Sequence, residues 1–243
     1  MAVVSVDVSM TLSELVTADP RRARVLERFA LDYCCHWQRL LSDAVAEAGL
    51  DVAEVSAALD LAGAVPAASA AAASTGNAAL AHEIVDIHHA YLWAEMPRML
   101  ALVDKVVTVH GGRHPELAQV QTAFTQVVAD LDPHMAREER VVFPAISRME
   151  KTQLPAASGP IAESIAALRA EHDVVGDLFK QIRSTTGDYT VPDDACNSYR
   201  AMLVGLEEME LDLHEHIHKE NNILFPHVEE LERNLSATRP SLI

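Results

Sequence analysis

The chain has 243 residues, 49% of them hydrophobic and 23% charged, and a formal charge of -17 at neutral pH. That length can bury a sizeable core in one large domain or two smaller ones, and the acidic excess argues against nucleic acid, because such a surface repels phosphates instead of displacing their counterions. No apolar run reaches the ~20 residues that cross a bilayer. The start MAVVSVDVSMTL carries no basic leader segment, and three cysteines make no disulfide framework, so a cytoplasmic protein without a membrane partner is expected.

Few glycines and aromatics beside abundant Ala, Leu and Glu favour an all-α protein. TLSEL opens the first helix with a capping box from Thr11 to Glu14, and ADPRRARVLERFAL follows with Asp19 as N-cap and Pro20 at the first helical position. DYCCHW interrupts the pattern. QRLLSDAVAEAG and DVAEVSAALDLAG read as two more short helices, the latter begun by Asp51 with Glu54 three residues on. Residues 1–62 are thus expected to form a small helical domain. Residues 63–78, without charge or apolar periodicity, read as an Ala-rich linker.

From Leu80 four long helical stretches follow, about 80–109, 116–149, 160–184 and 193–234, divided by HGGRHPE, QLPAASGP and STTGDYTVPDD. Long amphipathic helices with short connections specify an antiparallel four-helix bundle, expected over 79–235 with a tail at 236–243. Pro97, Pro144 and Pro226 predict kinks or terminations.

A repeat runs through this half. HMAREERVVFP, residues 134–144, returns 82 positions later as HIHKENNILFP, residues 216–226. Residues i and i+4 share a helix face, so His134 with Glu138, and His216 with Glu220, point at one spot. A buried carboxylate is costly unless paired or bound to metal, and imidazole with carboxylate suits iron, zinc or copper. His214 and His218, two residues either side of His216, are expected to face away into solvent. His172 is the sole histidine of its helix. The first helix offers His82, His88 and His89, and periodicity favours His89 only slightly. His89 precedes His134 by 45 residues and His172 precedes His216 by 44, so each hairpin supplies a His and then a His-x-x-x-Glu. A lone histidine on an apolar face is usually a core residue; the duplication reverses that and points to a dinuclear site.

DYCC at 32–35, HAYLWAEMP at 89–97, EHD at 171–173 and the two His-x-x-x-Glu segments, the second with ENN at 220–222, together resemble the hemerythrin-like di-iron proteins that repair iron-sulfur clusters. The resemblance covers nearly the whole chain and implies His89, His134, Glu138, His172, His216 and Glu220 as ligands of two non-haem iron ions, oxo- or hydroxo-bridged. Such a bridge would let the site change redox state without accumulating buried charge.

The resemblance further implies clients, namely iron-sulfur proteins damaged by oxidative or nitrosative stress, and small oxidants such as nitric oxide, oxygen or peroxide; a homodimer is a possible further partner. The site would donate iron or consume the oxidant. The alternatives are an oxygen or nitric oxide binding sensor, and a di-iron nitric oxide reductase or peroxidase. Cys34 and Cys35 match the adjacent cysteines of the family's N-terminal domain, which implies a thiol role, but His36-Trp37 stands where the family has Gly-Gly. Asp86, Asp173 and Asp212 are candidates either for orienting imidazoles or for solvated faces. His36, His82, His110, His114 and His227 are expected on surfaces or loops, Met96, Met99, Met202 and Met209 in the core, and Cys196 in a structural role near a helix start.

Overall fold

The computed structural model describes residues 6–33, 38–64, 76–156 and 159–237, and among them the secondary structure is helical with no strand. The chain divides into two compact units, one of residues 1–75 with 214–227, the other of residues 76–213 with 228–243.

In the first unit, α1 (Leu12–Ala18) begins with the predicted capping box: Thr11 Oγ1 accepts from the Glu14 amide at 3.1 Å while Glu14 accepts from the Thr11 amide at 2.8 Å. Two orphan amides of the first turn are thereby satisfied. Asp19 caps a short 3₁₀ turn, Pro20–Arg22, that leads into α2 (Ala23–Arg28). After α3 (Leu41–Glu47), Asp51 accepts from the Ala53 amide at 2.8 Å at the head of α4 (Val52–Ala64). Leu12, Leu15, Leu26, Leu41, Val55 and Leu59 are fully buried, each contributing about 1.5–3 kcal/mol by removal from water. Residues 65–75 of the expected linker lie outside the described residues.

The second unit is a helical bundle. Its first run is α5 (Asn77–Ile84), a π segment π1 (Val85–His89) and α6 (Ala90–His110). The second is α7 (Leu117–Arg137), π2 (Glu138–Val142) and α8 (Phe143–Thr152). The third is the unbroken α9 (Ile161–Thr185). The fourth is α10 (Asn197–His218), π3 (Lys219–Leu224) and α11 (Phe225–Ala237), of which residues 214–227 cluster with the first unit. α7 packs on α6 and α9, and α5 on α8.

Two helix starts are capped from a distance. Glu150 accepts from the amides of Asn77 and Ala78 at 2.9 and 3.0 Å, and Glu232 from those of Ile161 and Ala162 at 2.8 and 3.4 Å. Each places a carboxylate on the positive end of a helix dipole. Gly76 permits the first of these, because a Cβ there would lie 2.7 Å from Glu150 Oε1. Met96, Met99, Met202 and Met209 are buried as expected.

Candidate metal centre

Pro144 and Pro226 do not end their helices. Each is the second residue of an α-helix that directly follows a π segment. Proline supplies no amide to the carbonyl four residues back, and the widened turn absorbs that mismatch without ending the run. Pro97 likewise lies inside α6 without terminating it. The three π segments carry His89, Glu138 and Glu220. π turns recur at functional sites, and the sequence signal for two of these is the Phe-Pro that closes each copy of the repeat.

Glu138 is fully buried, and neither of its oxygens has a hydrogen-bond donor. Its Oε2 lies 3.4 Å from Nε2 of His89 and 3.4 Å from Nε2 of His134. The far nitrogens of both rings fix what those Nε2 atoms are. Nδ1 of His89 is 3.0 Å from Glu139 Oε1, which also accepts from the Trp93 indole N–H at 2.9 Å. Nδ1 of His134 is 2.8 Å from Glu171 Oε2, which also accepts from Arg137. Indole and guanidinium only donate, so both carboxylates are acceptors and both Nδ1 atoms carry hydrogen. In a neutral ring each Nε2 then presents a lone pair toward a carboxylate. A buried cation is what such a convergence of acceptors would satisfy.

His172 Nε2 stands 3.0 Å from His134 Nε2. Donor atoms of His134, Glu138 and His172 lie within 4.8 Å of one another, and so do those of His89 and Glu138, and those of His216 and Glu220. All six residues are buried. On the fourth run His216 Nε2 is 3.0 Å from Glu220 Oε1, the expected i, i+4 geometry. Buried histidine and glutamate clusters of this composition are able to hold a metal ion, and imidazole nitrogen with carboxylate oxygen suits iron.

Glu139 and Glu171, which accept from Nδ1 of His89 and of His134, were not singled out by the sequence pattern; each adjoins a residue that was, and neighbours on a helix diverge by about 100°. Burial pushes the Glu171 carboxyl up, but hydrogen bonds from Arg137 and His134 hold it below the usual range. A cleft of about 240 Å³ lined by Asp130, Pro133, His134, Arg137, Glu171 and Val174 opens beside this pair. Of the three aspartates considered, Asp86 and Asp173 are exposed, while Asp212 accepts from His88 at 2.9 Å.

Three histidine assignments need revision or refinement. His218 is buried, not solvated: it sits edge-on to Tyr33 with ring centroids 5.5 Å apart, and Asn222 donates to its Nδ1 at 2.9 Å. Burial pulls its imidazole down to about 4. The helical face opposite His216 is covered by N-terminal residues, which a bundle-only reading treated as water. His214 is half-buried and also meets Tyr33 edge-on. His110 is buried as well, tilted against Tyr199 with Nε2 3.2 Å from Cys196 Sγ. His82 and His227 are exposed and His114 lies in the connection after α6, as expected.

Cys196 is exposed beside the start of α10, and backbone N–H groups of Tyr199 and Ser198 hold its thiol below the ordinary value. Cys34, Cys35 and His36 lie outside the described residues.

Residues 80–228 match the family model described as hemerythrin HHE cation binding domain, and residues 8–62 match a domain of unknown function, DUF542. Relatives named iron-sulfur cluster repair protein YtfE, from Yersinia pseudotuberculosis and Yersinia pestis, are 32% identical over 218 residues, covering 90% of this chain and 96% of theirs.

Proposed function

The chain belongs to the hemerythrin HHE family, whose cofactor is a non-haem di-iron pair, and from that premise we propose that it restores iron-sulfur clusters damaged by oxidative or nitrosative stress. Its full-length similarity to proteins named for that repair supports the reading. The observation that carries it is Glu138, buried among imidazole nitrogens with no donor of its own.

The proposed ligands are His89, His134, Glu138, His172, His216 and Glu220, all inside the one stretch that the family model matches. These four imidazoles and two carboxylates would hold an iron pair, which would supply redox chemistry toward a small oxidant. Glu171 holds His134 in the tautomer that offers Nε2. The vicinal thiols Cys34 and Cys35 act on the client from the N-terminal domain of residues 1–62, joined by the 63–78 linker to the bundle of 79–235.

Clients are iron-sulfur proteins of the cytoplasm, and the damaging agents are nitric oxide or peroxide. Among the described residues no helix is long and apolar enough to cross a membrane.

The test mixes iron-loaded protein with a nitric-oxide-damaged cluster enzyme and follows recovered activity. Iron-loaded protein is expected to restore more than apo-protein supplemented with free iron; equal recovery removes the donor role.

A further inference from the structure

Glu139 does more than balance a charge beside the site. Its Oε1 accepts from two donors at once, the ring N–H of buried His89 at 3.0 Å and the indole N–H of Trp93 at 2.9 Å. Trp93 is one turn after His89 on the same helical run and 37% exposed. His89 is clamped on a second side by Phe143, which stacks on it with centroids 5.8 Å apart. Its neighbour His88 is committed to Asp212 instead. Glu139 lies in π2 directly after Glu138, so the turn that delivers the carboxylate to the cluster also delivers the acceptor that aims His89 at it.

We propose that Glu139 is a positioning residue for the metal site, fixing His89 in the tautomer that presents Nε2, and that Trp93 holds Glu139 in place from the surface. This rests on the reading of His89 as a ligand. The indole gives this half-buried carboxylate a second donor with a fixed geometry, at the same oxygen that accepts from His89. The two hydrogen bonds order each other, and removing either loosens the ring. Histidine ligands characteristically depend on such an outer acceptor, whose loss weakens metal binding by about 10- to 100-fold.

The test compares wild type with Glu139→Gln, Glu139→Ala, Trp93→Phe and His89→Ala. Two readouts are taken: nitrogen-15 NMR of the histidine rings in metal-free protein, and the rate at which bound cobalt(II) is surrendered to a chelator. In wild type, His89 is expected as a single Nδ1–H tautomer with slow cobalt release. Glu139→Ala mixes the tautomers and speeds release about tenfold or more; Trp93→Phe, which keeps the ring and loses the donor, does so to a smaller degree. Glu139→Gln retains an acceptor oxygen and falls between wild type and Glu139→Ala.

Unchanged tautomer and release in Glu139→Ala overturn the positioning role while leaving the ligand set standing. Full cobalt stoichiometry in His89→Ala overturns the ligand reading itself. Unfolded Glu139→Ala would show in the whole proton spectrum, and Trp93→Phe, which leaves the charge untouched, then decides: wild-type behaviour in it rejects the proposal.

Discussion

His88 Nδ1 lies 2.9 Å from Asp212 Oδ1, tying the first helical run of the bundle to α10. Adjacent histidines therefore have different duties, His88 holding two helices together while His89 faces Glu138. Replacing His88 by Ala leaves a mostly buried carboxylate without its partner, at a cost of about 1–3 kcal/mol. Urea unfolding of His88→Ala is expected to show that loss with iron content per chain unchanged. Lost iron at retained fold would make His88 a ligand and displace His89.

Glu138 gives a prediction whose sign depends on metal. As a proposed ligand, this carboxylate would be satisfied by iron; without iron the same buried group lacks any donor, which is costly for a polar side chain. Glu138→Gln is expected to lower the unfolding midpoint of iron-loaded protein and to raise that of chelator-treated protein. Glu138→Ala and Glu220→Ala should each lower bound iron. A uniform shift of midpoint in both metal states would mean that Glu138 serves packing alone.

The helical fold and the closeness of each His-Glu pair were legible because both are written in short periods: three or four residues for the apolar face, four for each pair. Capping at Thr11, Asp19 and Asp51 was legible for the same reason, since a cap is local. What lay beyond the sequence depends on a second element. Nothing near His218 in the chain says that Tyr33 will cover it, nor that Glu139 and Glu171 will find ring nitrogens 50 and 37 residues away. The π segments were hidden from the apolar periodicity, because an extra residue in a turn changes the register of a helix without changing its composition; only the Phe-Pro that follows two of them marks their place.

At the α6–α7 connection His114 sits between Asp194, 2.9 Å from Nε2, and Glu116, 3.0 Å from Nδ1. Hydrogen bonds to these two carboxylates raise its imidazole above the ordinary value. A folded-state value above the unfolded one means that the native protein binds the proton more tightly. This contribution is complete below the unfolded value and is lost as pH rises through the folded one. The difference in melting temperature between wild type and His114→Gln is expected to be larger at about pH 5 than at about pH 9. An equal difference at both would leave the charge on His114 without a role.

Buried Glu210 accepts from Arg183 Nε at 3.0 Å, from Arg183 Nη2 at 2.7 Å and from the Tyr189 hydroxyl at 2.8 Å, joining α9 and the turn after it to α10. Burial and the adjoining carboxylate push the Tyr189 hydroxyl well above its usual value, so it stays a donor throughout the working range. Removing the guanidinium strands a carboxylate that one hydroxyl cannot satisfy, and breaking a buried pair in this way costs about 3–5 kcal/mol. Arg183→Met keeps much of the apolar stem; besides the Glu210 pair it gives up an exposed ion pair to Asp188 and the guanidinium's place over the Tyr189 ring, losses that the double variant shares. The double variant Arg183→Met with Glu210→Leu removes both charges, and such replacements are often near neutral. Urea denaturation is therefore expected to rank wild type and the double variant close together, with Arg183→Met well below both. A double variant as unstable as the single one would show that packing, rather than the stranded carboxylate, sets the cost.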